Sequence, residues 1–208
     1  MGINNESWSA LFKEAKSLHK KAVDGDKEAV NQAADLLKQV RTLNPGNNLV
    51  EAYNGSVTSL IGRDAQQNKD RLNITNQGLK ILDEAVKKEP DNTEIRLLRA
   101  YVSYRVPEKY FKRTKTALED FNYLASAYEK DSTILTKESY WKILFDLGMA
   151  YKETNQKNKA KSVWMQLLTE TTDPKYGDLL KKEKLKMTNP HQASDSTEKR
   201  KKRKKQRT

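Results

Sequence analysis

The chain has no cysteine, and only five prolines, eight glycines and two histidines among its 208 residues. Without thiols there are no disulfide staples, no cysteine nucleophile and no thiolate-held zinc or iron–sulfur centre. The histidines, His19 and His191, stand far apart in sequence, so no histidine pair is set up for metal or base chemistry. His19 falls at the polar end of the first apolar-periodic stretch and reads as a solvated surface residue. No run approaches the roughly 18 apolar residues of a membrane span. No basic-then-apolar leader opens the chain, and the expectation is a cytoplasmic protein without a transmembrane segment. No serine sits in a nucleophile-elbow pattern and no glycine cluster resembles a phosphate loop. Asp64, Asp70, Asp83 and Glu84 do not follow a metal-loop spacing. Catalytic, metal and cofactor-binding residues are therefore predicted to be none, and the chain reads as non-enzymatic.

What is abundant is positive charge. The net charge is +12, and it is uneven. Residues 198–208 carry eight Lys or Arg and one Glu, a net +7, which leaves +5 for everything before them. From Thr188 onward no residue can build a core, so 188–208 is expected to be a disordered basic tail after a folded body of 1–187.

The body is periodic at three and four residues throughout, with no stretch of alternation long enough for a strand. Trp8, Leu11, Phe12, Ala15 and Leu18 predict a first helix, and Ala29 through Val40 a second that ends at Asn44-Pro45-Gly46. Asn48-x-x-Glu51 predicts the cap of a third helix that ends near Gly62. Residues 63–71 are polar and weakly periodic, which predicts a long loop before a fourth helix from about Ile74. Asp91-x-x-Glu94 predicts the next cap, for a fifth helix that ends before Pro107. A single long sixth helix is expected from Phe111 to Tyr128 and a seventh from Trp141 to Tyr151. Thr154 is expected to cap an eighth, and Asp173-Pro174 to open a ninth that runs through Met187.

The second helix of each pair repeats one pattern. Ala33, Leu37, Val40 and Pro45 lie at offsets 0, 4, 7 and 12, and Gly78, Leu82, Ala85 and Pro90 repeat them. Ala117, Phe121 and Leu124 share the first three, as do Ala160, Trp164 and Leu167. A small residue lets two helices of a hairpin approach, a bulky one a turn later fills the gap to the next hairpin, and proline stops the helix. With Leu147-Gly148-x-x-Tyr151 placed before Ala160, this pattern resembles the tetratricopeptide repeat family. The repeat spacing is about 44 rather than the family's 34, and the leucine–glycine pair becomes Asn54-Gly55 and Leu98-Arg99 in the middle repeats.

That resemblance implies an all-α, right-handed α-α superhelix of about four hairpins and a capping helix. It also implies a protein-interaction adaptor whose first helices line a concave groove. By the family's geometry the groove would include Ala52, Ser56 and Ser59, then Arg96, Ala100, Ser103 and Tyr104, then Lys142, Phe145, Met149 and Lys152. Cations over apolar ground suit a protein or peptide partner with acidic character. The three tryptophans are expected to pack in the core. Arg105, Lys109, Lys112, Arg113 and Lys115 make a second basic patch beyond Pro107. The tail, Lys199, Arg200, Lys201, Lys202, Arg203, Lys204, Lys205 and Arg207, suits nonspecific contact with nucleic acid or an anionic membrane surface, or a targeting role. An alternative function is therefore a nucleic-acid- or ribosome-associated protein that uses this tail.

Overall fold

A computed structural model describes residues 5–183. The basic tail and the end of the ninth predicted helix, Met187 included, lie outside the described residues. Among the described residues there are ten helices and no strand: α1 (Asn5–Val23), α2 (Lys27–Leu43), α3 (Asn48–Asp64), α4 (Asn68–Lys88), α5 (Thr93–Arg105), α6 (Glu108–Phe111), α7 (Thr114–Lys130), α8 (Lys137–Glu153), α9 (Lys157–Glu170) and α10 (Pro174–Lys182). They pack as hairpins, α1 with α2, α3 with α4, α5 with α7 and α8 with α9, and α10 follows as a terminal helix. The chain divides into two compact units between Asp120 and Phe121, inside α7.

In the first unit the core runs through Phe12, Leu37, Val40, Val57, Leu82 and Ile95, all buried. Helices α3 and α4 approach closely where Gly55 faces Gly78. A Cβ on Gly78 would lie 2.2 Å from the Ser59 hydroxyl and 2.4 Å from the Gly55 carbonyl. In the second unit Gly148 of α8 lies under Trp164 of α9, whose indole Nε1 donates to the Phe145 carbonyl at 3.1 Å. Tyr128 stacks on Tyr140 with ring centres 4.0 Å apart. The repeated positions do what their sizes predict: Ala33, Gly78, Ala117 and Ala160 are buried, as are Leu37, Leu82, Phe121 and Trp164.

Four local expectations need correction. The cap of α3 is Asn47, whose side chain accepts from the Val50 N–H; Asn48 instead turns inward and donates to the Ala85 carbonyl at 2.7 Å. The cap of α5 is Asn92 rather than Asp91, accepting from Ile95 N–H. Thr154 closes α8 instead of opening α9, its hydroxyl donating to the Ala150 carbonyl at 3.0 Å. The long loop at 63–71 shrinks to residues 65–67, because α3 continues to Asp64 and α4 begins at Asn68. The first turn of α4 is exposed to solvent, and a helical turn with no buried face leaves no apolar period to read.

The predicted long sixth helix is broken as well. Lys112 adopts the left-handed conformation at φ 53°, which separates the single turn α6 from α7. Glu108 spans the break: its carboxylate accepts from the Thr114 N–H at 2.8 Å and the Thr114 hydroxyl at 2.7 Å.

Candidate functional site

In the first unit, side chains of α1, α3 and α5 converge on Tyr53. Its hydroxyl donates to Glu94 Oε1 at 2.7 Å, and Lys16 Nζ donates to the same oxygen at 3.4 Å. Burial, and then the bond to Glu94, push the Tyr53 hydroxyl well above the usual phenol range, so it stays a donor. Lys16 also lies 5.3 Å over the Phe12 ring and 5.9 Å over the Tyr53 ring. His19 meets Tyr53 edge-on with centroids 5.1 Å apart, and its Nε2 lies 2.8 Å from the Ser56 hydroxyl. Burial and the nearby Arg105 charge lower its pKa to about 4, so the ring is neutral at pH 7.

The expectation of a solvated His19 therefore fails, because α1 packs its polar end against α3. A neutral imidazole beside a serine hydroxyl has the partners of a nucleophile and base. Ser56 is only 2% exposed, however, and a nucleophile needs an open line of approach. The pair serves the α1–α3 contact.

The positions implied on α5 are spent on packing. Arg96 donates to Asp120 Oδ1 at 2.7 Å and also to the Pro90 carbonyl. Ser103 is 1% exposed and accepts from Arg113 Nε at 3.4 Å. Tyr104 is half-buried. Ala52, Ser59 and Ala100 are buried in the same manner as Ser56. The side of α5 turned toward α1 and α3 carries Glu94 instead.

In the second unit the implied residues do come together. Most of α8 is buried, through Tyr140, Ile143, Leu144, Leu147 and Ala150. Lys142, Phe145, Met149 and Lys152 share its partly open stripe with Trp141. The chain's own α10 rests on it. Tyr176 lies 6.4 Å from Trp141 in an edge-on arrangement and 6.2 Å from Phe145, while Glu183 accepts from Lys152. Lys142 pairs with Asp146 one turn on. Burial, and then the nearby Asp173 carboxylate, raise the Tyr176 hydroxyl above the usual phenol range, which keeps the ring uncharged on this apolar ground.

Trp164 is fully buried as expected, whereas Trp8 and Trp141 are half-buried, Trp8 against the edge of the first core and Trp141 against Tyr176. Among the described residues, no group of three or more histidine and carboxylate side chains is placed to hold a metal ion. No described helix is long and apolar enough to cross a membrane. The tail cations Lys199 to Arg207 lie outside the described residues. Sequence reasoning missed Lys16, His19, Tyr53 and Glu94 as a cluster. The one available signal was the helical spacing of Phe12, Lys16 and His19 on one face of α1. Compared with known proteins, the chain matches no family model, no curated protein and no solved structure.

Proposed function

We propose that this chain is a non-enzymatic protein-interaction scaffold, a divergent hairpin array of tetratricopeptide type, that grips an amphipathic segment of a partner protein along the open face of one first helix, α8. The observation that supports this reading is the seating of α10 on α8. Trp141, Phe145 and Met149 supply apolar ground, with Lys142 and Lys152 at its edges. The internal helix places an aromatic ring against that ground, and its C-cap residue Glu183 places a carboxylate on Lys152. Residues 176 and 183 are two helical turns apart and so share one face. A partner helix with an aromatic residue and an acid seven positions later would make the same two contacts, which accords with an acidic partner.

The test is a selection of displayed helical peptides against the full chain carrying Tyr176→Ala, which loosens the internal occupant. Enrichment of an aromatic residue followed seven positions later by Asp or Glu is expected, with binding lost when Lys152→Glu is added. Enrichment without that spacing, or binding indifferent to Lys152→Glu, moves the interface away from α8. The tail is proposed to add a sequence-blind electrostatic contact, whose affinity for heparin falls steeply with salt.

A further inference from the structure

The turn between α5 and α7 contributes little to the core. No residue of α6 is buried, and among the described residues Tyr110 is the only large hydrophobic side chain classed as exposed, at 60%. Yet the turn is held in one shape. Glu108 clamps Thr114 through two hydrogen bonds, and Lys112 closes α6 in the left-handed region, a conformation that costs a non-glycine residue free energy. Arg113 is anchored inward on Asp83 at 2.6 and 2.9 Å.

The outward side chains of this fixed turn are cationic and aromatic. Residues 105–115 carry five Lys or Arg and one Glu, and that Glu is the clamp itself. Lys109, Lys112 and Lys115 are exposed and form no ion pair with a carboxylate among the described residues. Lys109 Nζ lies 5.4 Å over the Tyr110 ring. Cations around one exposed phenol match the two needs of an unpaired nucleic-acid strand, whose phosphates take charge and whose bases stack on aromatic faces. A duplex hides its base faces and a bilayer rewards inserted apolar side chains. Here Phe111 is half-buried, and among the described residues no Leu, Ile or Trp is exposed.

We propose that the turn from Pro107 to Lys115 is a contact site for single-stranded nucleic acid, with one base on Tyr110 and adjacent phosphates on Lys109, Lys112 and Lys115. This assigns a second class of ligand and does not rest on the partner-helix surface of α8.

The experiment measures binding of the full chain to fluorescent oligo-dT and oligo-rU strands of about 12 nucleotides by anisotropy, alongside an abasic strand of equal length. Tyr110→Ala is expected to weaken binding to the base-bearing strands about tenfold, with Tyr110→Trp holding it and the abasic strand indifferent to both. Residues 188–208 contain no aromatic side chain except His191, so the tail cannot imitate dependence on Tyr110. Lys109→Gln with Lys112→Asn, asparagine being tolerant of the left-handed conformation, should reduce the slope of log affinity against log salt by about 1.4. Thermal melts establish that each variant folds. The proposal fails if the Tyr110→Ala chain binds like the parent, or if the abasic strand loses as much. It also fails if dependence on Tyr110 is found only with phosphatidylcholine–phosphatidylserine vesicles, which would make the turn a membrane contact.

Discussion

Arg99 grips Asp120 with two nitrogens, Nε to Oδ2 at 2.7 Å and Nη2 to Oδ1 at 2.9 Å, and the carboxylate is wholly buried. Arg96 adds a third bond at 2.7 Å, so one carboxylate on α7 holds two guanidinium groups of α5. Such a pair stabilises little relative to an apolar one of equal shape, but its halves depend on each other. Asp120→Ala is expected to cost about 3–5 kcal/mol, because Arg96 and Arg99, both largely buried, lose the carboxylate they share and Arg99 keeps only the longer contacts to Asp83 at 3.4 Å and Glu119 at 3.6 Å. Urea unfolding measures it. A loss under about 1 kcal/mol would mean that solvent reaches the arginines, and Asp120→Leu with Arg96→Met and Arg99→Met should recover much of the deficit.

His19 makes stability depend on pH in a defined direction. Its pKa is lowered from 6.5 to about 4, first by burial and then by Arg105. The folded chain therefore resists protonation while the unfolded chain accepts it near pH 6.5. This contribution is constant above about pH 6.5, erodes as the pH falls toward 4 and then levels off, with an upper bound of about 3 kcal/mol. His19→Gln should flatten that window of the stability profile. An NMR titration of a His191→Gln chain that places His19 near 6.5 would contradict the packing of α1 on α3.

Glycines of equal standing in sequence should respond oppositely to alanine. A Cβ at Gly148 would meet Trp164 Nε1 at 2.0 Å, whereas one at Gly177 has no neighbour within 4 Å. Gly148→Ala should destabilise by about 1–3 kcal/mol through overpacking. Gly177→Ala, in the interior of α10, should stabilise by about 0.5–1 kcal/mol. Melting temperatures that move together would show that α8 and α9 are not in contact there.

Glu108 acts as an outlying cap for α7 through the Thr114 N–H and hydroxyl, and those bonds hold its carboxyl below the usual range. Glu108→Ala is expected to cost about 1 kcal/mol and to speed amide exchange at Thr114 more than at Leu124. Unchanged exchange at Thr114 would mean that the turn is held by something else, and would also remove the rigid frame from the Tyr110 site.

The caps show how far local reasoning reached. At both Asn47-Asn48 and Asp91-Asn92 two neighbouring residues could cap, and the structure uses the one not predicted at each. The choice depends on helix phase. Asn48 is drawn inward by the Ala85 carbonyl of α4, a residue 37 positions away. On α5 the implied groove residue Arg96 is turned by Asp120, 24 positions on, and no spacing within α5 announces that. On α8 the positions implied by the resemblance to the tetratricopeptide family, Lys142, Phe145, Met149 and Lys152, fall between buried neighbours that repeat at three and four residues.

The sequence by itself determined that the chain is helical, where the helices before Pro45, Pro90 and Pro107 end, and which small and bulky residues sit between paired helices. These follow from period, proline and side-chain size, which act over a few residues. Only the tertiary structure decided which charged and polar groups meet. Tyr53 with Glu94, His19 with Ser56, Arg99 with Asp120 and Tyr176 with Trp141 each join different helices. Their meeting depends on the angle and depth at which packed helices come together, and a one-dimensional pattern of apolar residues sets neither.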